Sequence, residues 1–250
     1  MNVVWKDMRQ TIAPPADDRH GPLPPLLLGL TVVTGLVDAF SYLVLGHVFV
    51  ANMTGNVVFL GFALAGASGF SIPASLTALG AFCLGALLGG RLATKLGAHR
   101  GRLLTVATVL EALLVAASVV VAEVVDQPGS GAARYTLVTL LAVALGTQNA
   151  TVRKLAVPDL TTTVLTLTIT GVFADARFVG GAGSRVGRRL LSVLAMGLGA
   201  LAGAVLVLRI DAPLAVVVAL VVLCLVAAAT AMQSRAHRPW LLDPAAPAGH

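Results

Sequence analysis

The chain has 250 residues, of which 57% are hydrophobic and only 11% are charged, and its formal net charge is +6. Its mean hydropathy of +0.92 lies far outside the range of soluble globular domains. This composition excludes a soluble enzyme and indicates an integral membrane protein. The excess of positive charge is interpreted as orientation in the membrane and contact with anionic headgroups, since no basic patch interleaved with aromatic residues predicts nucleic-acid binding.

Most of the chain consists of apolar segments, each close to the ~20 residues that a helix needs to cross a ~30 Å hydrocarbon core. A barrel strand would alternate apolar and polar residues, whereas 213–232 is almost continuously Leu, Val and Ala. The predicted fold class is therefore an all-α polytopic membrane protein with about eight hydrophobic helical segments, six to eight net spans and two internal repeats. The segments are centred on 26–46, 49–68, 72–93, 103–124, 134–150, 160–178, 188–209 and 212–232.

Four parts are predicted along the chain. The polar, proline-containing ends, 1–24 and 233–250, lack periodicity and are expected to be mobile tails. Between them, 25–126 forms the first membrane repeat and 127–232 the second.

The repeat is recognised by two pairs of motifs. Gly35-Leu-Val-Asp38-Ala39 recurs 111 residues later as Gly146-Thr-Gln148-Asn149-Ala150, and each copy precedes a polar, threonine-bearing run at 52–56 or 161–166. Gly85-Ala-Leu-Leu-Gly89 matches Gly199-Ala-Leu-Ala-Gly203 at an offset of 114. The second pair has the small-xxx-small pattern of closely packed membrane helices, so it is assigned to packing. The first pair places polar groups twice inside the membrane, which points to a site between two related halves.

The number of spans stays open at this point. If all eight segments cross, 10 of the 17 Lys and Arg residues lie inside, which is a weak bias. If 26–68 and 134–178 each cross only once in net terms, 13 lie inside, and Arg134, Arg153, Lys154 and Arg209 lie outside. The second arrangement gives three-plus-three inverted repeats, whereas the first gives two parallel four-helix repeats. Charge favours six spans and hydropathy alone favours eight.

Together, the motifs Gly35-x-x-Asp38-Ala39-x-x-Tyr42, Phe49-Val-Ala-Asn52-x-Thr54-Gly55-Asn56, Gly146-x-Gln148-Asn149-Ala150 and Thr161-Thr-x-Val-Leu-Thr166 resemble the YoaK family of bacterial polytopic membrane proteins, a family of unknown function. The resemblance covers roughly residues 25–232. It implies a multi-pass protein of the bacterial inner membrane and supplies no catalytic assignment.

In the first repeat, Asp38 is the sharpest candidate because an ionisable carboxylate inside an apolar helix is expensive. It could carry a proton or coordinate a cation, or it could hydrogen-bond a neighbouring helix for packing alone. Asn52, Thr54 and Asn56 surround Gly55, a group that disfavours helix propagation and favours a helix end. A broken or newly started helix is expected there, either lining a wet cavity or forming an ordinary N-cap.

In the second repeat, Gln148 and Asn149 stand at the positions equivalent to Val37 and Asp38. Beyond Pro158, a helix start is plausible, and Thr162 and Thr166 would lie on one face with Thr170, although threonine hydroxyls in membrane helices most often bond their own backbone.

Glu111 is a second intramembrane acid, for which Arg153 is one candidate partner. It is grouped with Asp38 as a coupling residue.

The predicted function is a secondary transporter or permease for an unidentified small solute, coupled to protons through Asp38. Its substrate site would be formed by Asp38, Asn52, Thr54 and Asn56 facing Gln148, Asn149, Thr162 and Thr166. The alternative is a non-transporting scaffold or subunit whose buried polar residues serve helix packing. No catalytic, phosphate-binding or metal-ligand motif is present in the sequence, so the chain is not expected to be an enzyme, and no cofactor or metal is assigned. The expected partners are the lipid bilayer and the solute, with no nucleic acid, and association into a homo-oligomer is left open.

Overall fold

The computed structural model describes residues 2–15, 17–125, 127–158, 160, 165–174, 185–234 and 239–241. Within these ranges the chain is helical, with short loops and one 3₁₀ turn, Pro239–Leu241. The helices are α1 (Asn2–Ile12), α2 (Leu23–Val44), α3 (Met53–Leu64), α4 (Ile72–Leu96), α5 (Arg100–Val124), α6 (Gly131–Leu155), α7 (Leu165–Ala174), α8 (Val186–Arg209) and α9 (Leu214–Ser234).

Six helices, α2, α4, α5, α6, α8 and α9, are long and apolar enough to cross a membrane. The segment 49–68 instead yields α3, whose 12 residues extend only about 18 Å. The part of 160–178 that the structure describes contains α7, whose 10 residues extend about 15 Å. The described residues thus contain six candidate spans, the lower of the two numbers that the sequence allows. Three of them fall in each repeat, so the repeats run through the bilayer in opposite directions.

The basic residues sort to one end of these helices, called the basic end below. Of the fourteen Lys and Arg residues in the described ranges, only Arg134 and Arg209 lie at the opposite end. The six-span arrangement drawn from the sequence places Arg153 and Lys154 outside. That placement is wrong because α6 is the helix of segment 134–178 that crosses the membrane, and its C-terminal end carries both residues to the basic end. The twelve residues at the basic end are Lys6, Arg9, Arg19, Arg91, Lys95, Arg100, Arg102, Arg153, Lys154, Arg185, Arg188 and Arg189.

The two repeats pack against each other at two equivalent helix crossings. Helix α4 of the first repeat packs on α6 of the second, and α2 of the first packs on α8 of the second. At one crossing, a Cβ added to Gly85 would overlap the carbonyl oxygen of Val143; at the other, a Cβ on Gly199 would overlap that of Val32. The small-xxx-small motifs therefore serve close backbone packing, as the sequence indicates.

The chain ends contain more structure than two mobile tails. Within 1–24, α1 packs against the start of α8, where Asp7 accepts a hydrogen bond from the backbone N–H of Arg188 at 3.0 Å. Within 233–250, Trp240 is buried against Gly21 and against Gly101 at the start of α5. Parts of both ends therefore have regular secondary structure and tertiary contacts with the basic end, and their expected mobility stays a prediction.

Candidate functional site

The first functional element is a loop that turns back into the bilayer. Asp38 lies six residues before the end of α2, which places it about 9 Å inside the membrane from that end. Its Oδ1 accepts hydrogen bonds from the backbone N–H groups of Val50 at 3.0 Å and Ala51 at 2.9 Å. After leaving α2, the chain must therefore return to the depth of Asp38 before α3 begins at Met53. Helix α3 is a half-helix whose N-terminus points into the membrane.

A second side chain fixes the same loop. The buried side chain of Asn56 accepts from Phe49 N–H at 2.9 Å through Oδ1 and donates to Phe49 C=O at 2.7 Å through Nδ2. Around this pair, Tyr42 and Phe59 stack on Phe49 with ring centroids 5.0 and 5.6 Å away. Asp38 and Asn56 thus satisfy backbone groups that would otherwise be unpaired in hydrocarbon.

A pocket of about 710 Å³ opens at the N-terminus of α3. It lies between the two repeats, because its walls come from α3 and α4 of the first and from α7 and α8 of the second. Among the described residues, none of the lining side chains carries a charge; two hydroxyls and one amide lie among aromatic rings and thioethers. The lining residues are Ala51, Asn52, Met53, Thr54, Gly55, Val58, Phe59, Phe82, Thr166 and Met196.

Equivalent residues of the two repeats face each other across this pocket. Phe82 and Met196 are separated by 114 residues, the offset of the small-xxx-small motifs, and Thr54 and Thr166 are separated by 112. Phe82 and Met196 each lie ten residues from the start of their helix, about 15 Å from its end and near the middle of the bilayer. The pocket therefore lies on the approximate two-fold axis that relates the repeats.

The structure divides the first-repeat candidates into two groups. Asn52 and Thr54 line the pocket, whereas Asp38 and Asn56 lie behind its wall and hold the loop that carries it. Asp38 is only 3% exposed, and its Oδ2 has no hydrogen-bond partner in the described part of the chain.

Among the second-repeat candidates that the structure describes, only Thr166 lines the pocket. Gln148 is 2% exposed and donates from Nε2 to Thr34 Oγ1 of α2 at 2.8 Å. Asn149 Nδ2 donates to Leu145 C=O, one turn earlier in α6. Thr162 lies outside the described residues. On the threonine face predicted for α7, Thr166 and Thr170 are exposed.

Several buried oxygens on α2, α5 and α6 have no hydrogen-bond partner among the residues that the structure describes. They are Asp38 Oδ2, Thr108 Oγ1, Glu111 Oε1, Gln148 Oε1 and Thr151 Oγ1. Without water or a ligand, each unpaired oxygen would lower the free energy of unfolding by about 1–3 kcal/mol. Together they would offset most of the ~5–15 kcal/mol that is typical of a whole protein's stability. Bound water or a ligand would satisfy this set of oxygens. Glu111 makes no ion pair with Arg153, which is exposed at the basic end, so the pairing considered from the sequence is wrong.

Sequence reasoning missed the apolar half of the pocket and both of the unpaired hydroxyls, Thr108 and Thr151. Met53, Phe59, Phe82 and Met196 are ordinary hydrophobic residues in a membrane sequence, so their type gives no signal. The 114-residue offset relates Phe82 to Met196 and could have singled out this pair.

These features define the class of the protein: a polytopic α-helical membrane protein of two inverted three-span repeats, each with a short helix that lines a shared pocket. The chain belongs to the family described as "Protein of unknown function (DUF1275)", whose family model matches residues 26–231. It is similar to the UPF0700 transmembrane protein YoaK of Bacillus subtilis (strain 168), with 33% identity over 151 residues. That alignment covers 60% of this chain and 65% of the relative. No solved structure matches. The resemblance to the YoaK family is thereby confirmed.

Proposed function

We propose that the protein is a secondary transporter or permease of the bacterial inner membrane, and that it binds a small uncharged solute in the pocket between its repeats. The observation that supports this most directly is the junction of Asn52 and Thr54 from one repeat with Thr166 from the other at mid-membrane depth. Transporters built from inverted repeats bind their substrates at such a place, beside discontinuous helices. The uncharged side chains of the described lining residues favour a neutral solute with both hydroxyl or amide groups and an apolar face.

Alternating access would arise from rocking of one repeat against the other around this pocket. The basic end would face the cytoplasm by the positive-inside rule. In this mechanism Asp38 and Asn56 act as positioning residues, since they fix the loop that carries Asn52 and Thr54. The coupling of transport to a proton at Asp38 stays a prediction.

Thiol labelling tests whether the pocket is water-accessible. In a background with Cys83 and Cys224 replaced by serine, Thr54→Cys and Thr166→Cys should react with a membrane-impermeant maleimide added from either side of the membrane. Val57→Cys is the matched control on α3, because Val57 is 58% exposed on the surface of the helix bundle, where lipid should shield it. Pocket cysteines as unreactive as the control would refute a hydrated site.

Solute movement is tested by osmotic swelling of proteoliposomes in a graded series of polyols. Thr54→Val combined with Thr166→Val should slow swelling, since two hydroxyls that bind solute are lost, by roughly thirtyfold if each contributes one hydrogen bond of about 1 kcal/mol.

The alternative is a non-transporting scaffold, and the hydrogen bonds of Asp38 and Asn56 to the α2–α3 loop favour it, because they satisfy backbone whether or not solute moves. It predicts that the Thr54 and Thr166 cysteine variants are labelled no faster than the Val57 variant and that polyol swelling equals that of protein-free liposomes.

A further inference from the structure

We infer that Glu111 is a proton-binding site, connected to the basic end by a track of hydrated polar groups between α5 and α6. The track consists of Glu111 and Thr108 on α5 and of Gln148 and Thr151 on α6. All four side chains are at least 98% buried, and each has an oxygen without a hydrogen-bond partner in the described ranges. The site is separate from the solute pocket, which none of these residues lines.

The register of the two helices places these groups at successive depths. Helices α5 and α6 pack together, and Arg100 Nη2 donates to Leu155 C=O at 2.7 Å, which places the start of α5 beside the end of α6. Because the helices run in opposite directions, Thr108 lies at the depth of Gln148, each about 10–12 Å from that contact. Glu111 lies one turn deeper, and Thr151 lies one turn nearer the basic end. The four residues thus span the distance from mid-membrane to Arg100.

The threonine hydroxyls point to the same conclusion. Most buried threonines of the six candidate spans bond the carbonyl four residues earlier, as Thr34 of α2, Thr147 of α6 and Thr230 of α9 do. Thr108 and Thr151 make no such bond, so their hydroxyls are available to water between the helices. Gln148 Nε2 is already used by Thr34, which leaves its Oε1 as an acceptor.

The surroundings of Glu111 favour a proton over an ion pair. On the neighbouring helices, α9 carries no charged residue, and α6 carries none between Arg134 and Arg153. The other carboxyl at this depth is Asp38 on α2, which accepts two backbone hydrogen bonds. At the basic end, Arg100 and His20 close the track, with 3.3 Å between Arg100 Nη2 and His20 Nδ1.

The proton transfer is simple. The carboxyl of Glu111 gives its proton to a water molecule beside Thr108 and Gln148 and keeps the electron pair as a carboxylate. The hydrated proton then passes Thr151 to the basic end, and the reverse sequence reprotonates Glu111. As a coupling device this site rests on the proposed transport, whereas proton binding itself does not.

Carbodiimide labelling tests proton binding without any solute. Dicyclohexylcarbodiimide partitions into membranes and reacts with protonated carboxyl groups. In the full chain in lipid nanodiscs, mass spectrometry should find Glu111 labelled, with less labelling as the pH is raised. Glu111→Gln should abolish this label, and Glu123→Gln, at the exposed end of the same helix, should keep it. No label on Glu111, labelling independent of pH, or protection by Na⁺ at constant pH would each overturn the assignment.

Infrared spectroscopy tests the track. The carbonyl band of the protonated Glu111 carboxyl, identified by its loss in Glu111→Gln, should shift when the nanodiscs are transferred to D₂O. Thr151→Val should slow this exchange roughly fivefold to tenfold, the factor that corresponds to one lost hydrogen bond. Thr105→Val is the control, because the Thr105 hydroxyl bonds Gly101 C=O within α5. Equal exchange rates in the two threonine variants would show that the track is not the route. Failed maleimide labelling of the pocket would refute the proposed transport but would leave the infrared exchange result unchanged.

Discussion

Replacing Gly85 by alanine tests the crossing on which the repeat architecture depends. A Cβ at this position would overlap the carbonyl oxygen of Val143 and lie 2.8 and 2.9 Å from its carbonyl carbon and Cα. Ordinary carbon contacts are about 3.5–4.0 Å long, so α4 and α6 must separate by about 1 Å. The atoms met are backbone, so no side chain can rotate away. The separation also lengthens the hydrogen bond from Thr147 Oγ1 to Gly85 C=O, which is 3.1 Å long.

The expected magnitude follows from three terms. Overpacking costs about 1–3 kcal/mol, the weakened hydrogen bond adds up to about 1 kcal/mol, and the better helix propensity of alanine returns up to about 1 kcal/mol. Gly85→Ala should therefore lower the free energy of unfolding by about 1–3 kcal/mol, as measured by reversible denaturation of the purified protein in mixed micelles.

Gly90→Ala is the matched control on the same helix, because a Cβ there meets no atom within 4 Å. It should leave the free energy of unfolding unchanged or raise it slightly. In the second repeat, Gly199→Ala and Gly197→Ala form the equivalent pair, since Gly199 meets the backbone of Val32 whereas Gly197 meets nothing within 4 Å. If Gly85→Ala and Gly90→Ala have the same free energy of unfolding, Gly85 is not required for the close crossing of α4 on α6.

Two further predictions concern polar groups. Asp38→Ala should lower the free energy of unfolding by about 2–4 kcal/mol, because the backbone N–H groups of Val50 and Ala51 lose their acceptor. Asp38→Asn keeps an acceptor oxygen and should recover much of this loss in the same denaturation assay. Equal losses in the two variants would show that these hydrogen bonds do not stabilise the loop. Outside the membrane spans, burial, assisted by the Arg100 guanidinium, lowers the pKa of His20 from 6.5 to about 4. The unfolded chain therefore binds the proton first, so stability is full above pH 6.5 and falls by roughly 1–2 kcal/mol, after allowance for solvent screening, as the pH drops to 4. His20→Gln should flatten this part of the stability profile, and an unchanged profile would show that His20 is not its source.

Several features of the fold follow directly from the sequence. The composition predicts the membrane class, and the spacing of the glycine motifs predicts both the repeat and its close helix packing, because these depend on residue type and helical periodicity alone. The start of a helix near Gly55 was also predictable, since Asn52, Thr54 and Asn56 disfavour helix propagation; α3 begins at Met53.

Other features depend on which distant segments meet. Hydropathy cannot tell a spanning helix from a half-helix, because 49–68 is as apolar as its neighbours; the difference arises when Asp38 and Asn56 bind the loop and return it into the bilayer. The same contacts decide that Asp38 lies behind the pocket wall while Thr54 and Thr166 line it.

The sequence by itself determined that the chain is a membrane protein of two related halves and that costly polar groups lie within its spans. Only the tertiary structure decided which of those groups share a pocket, which hold backbone and which, like Glu111, stand unpaired. The physical reason is that the free-energy cost of a polar group in a membrane depends on its hydrogen-bond partners. Those partners lie on helices more than a hundred residues apart, as Gln148 and Thr34 do, and only the packing of the helices brings them together.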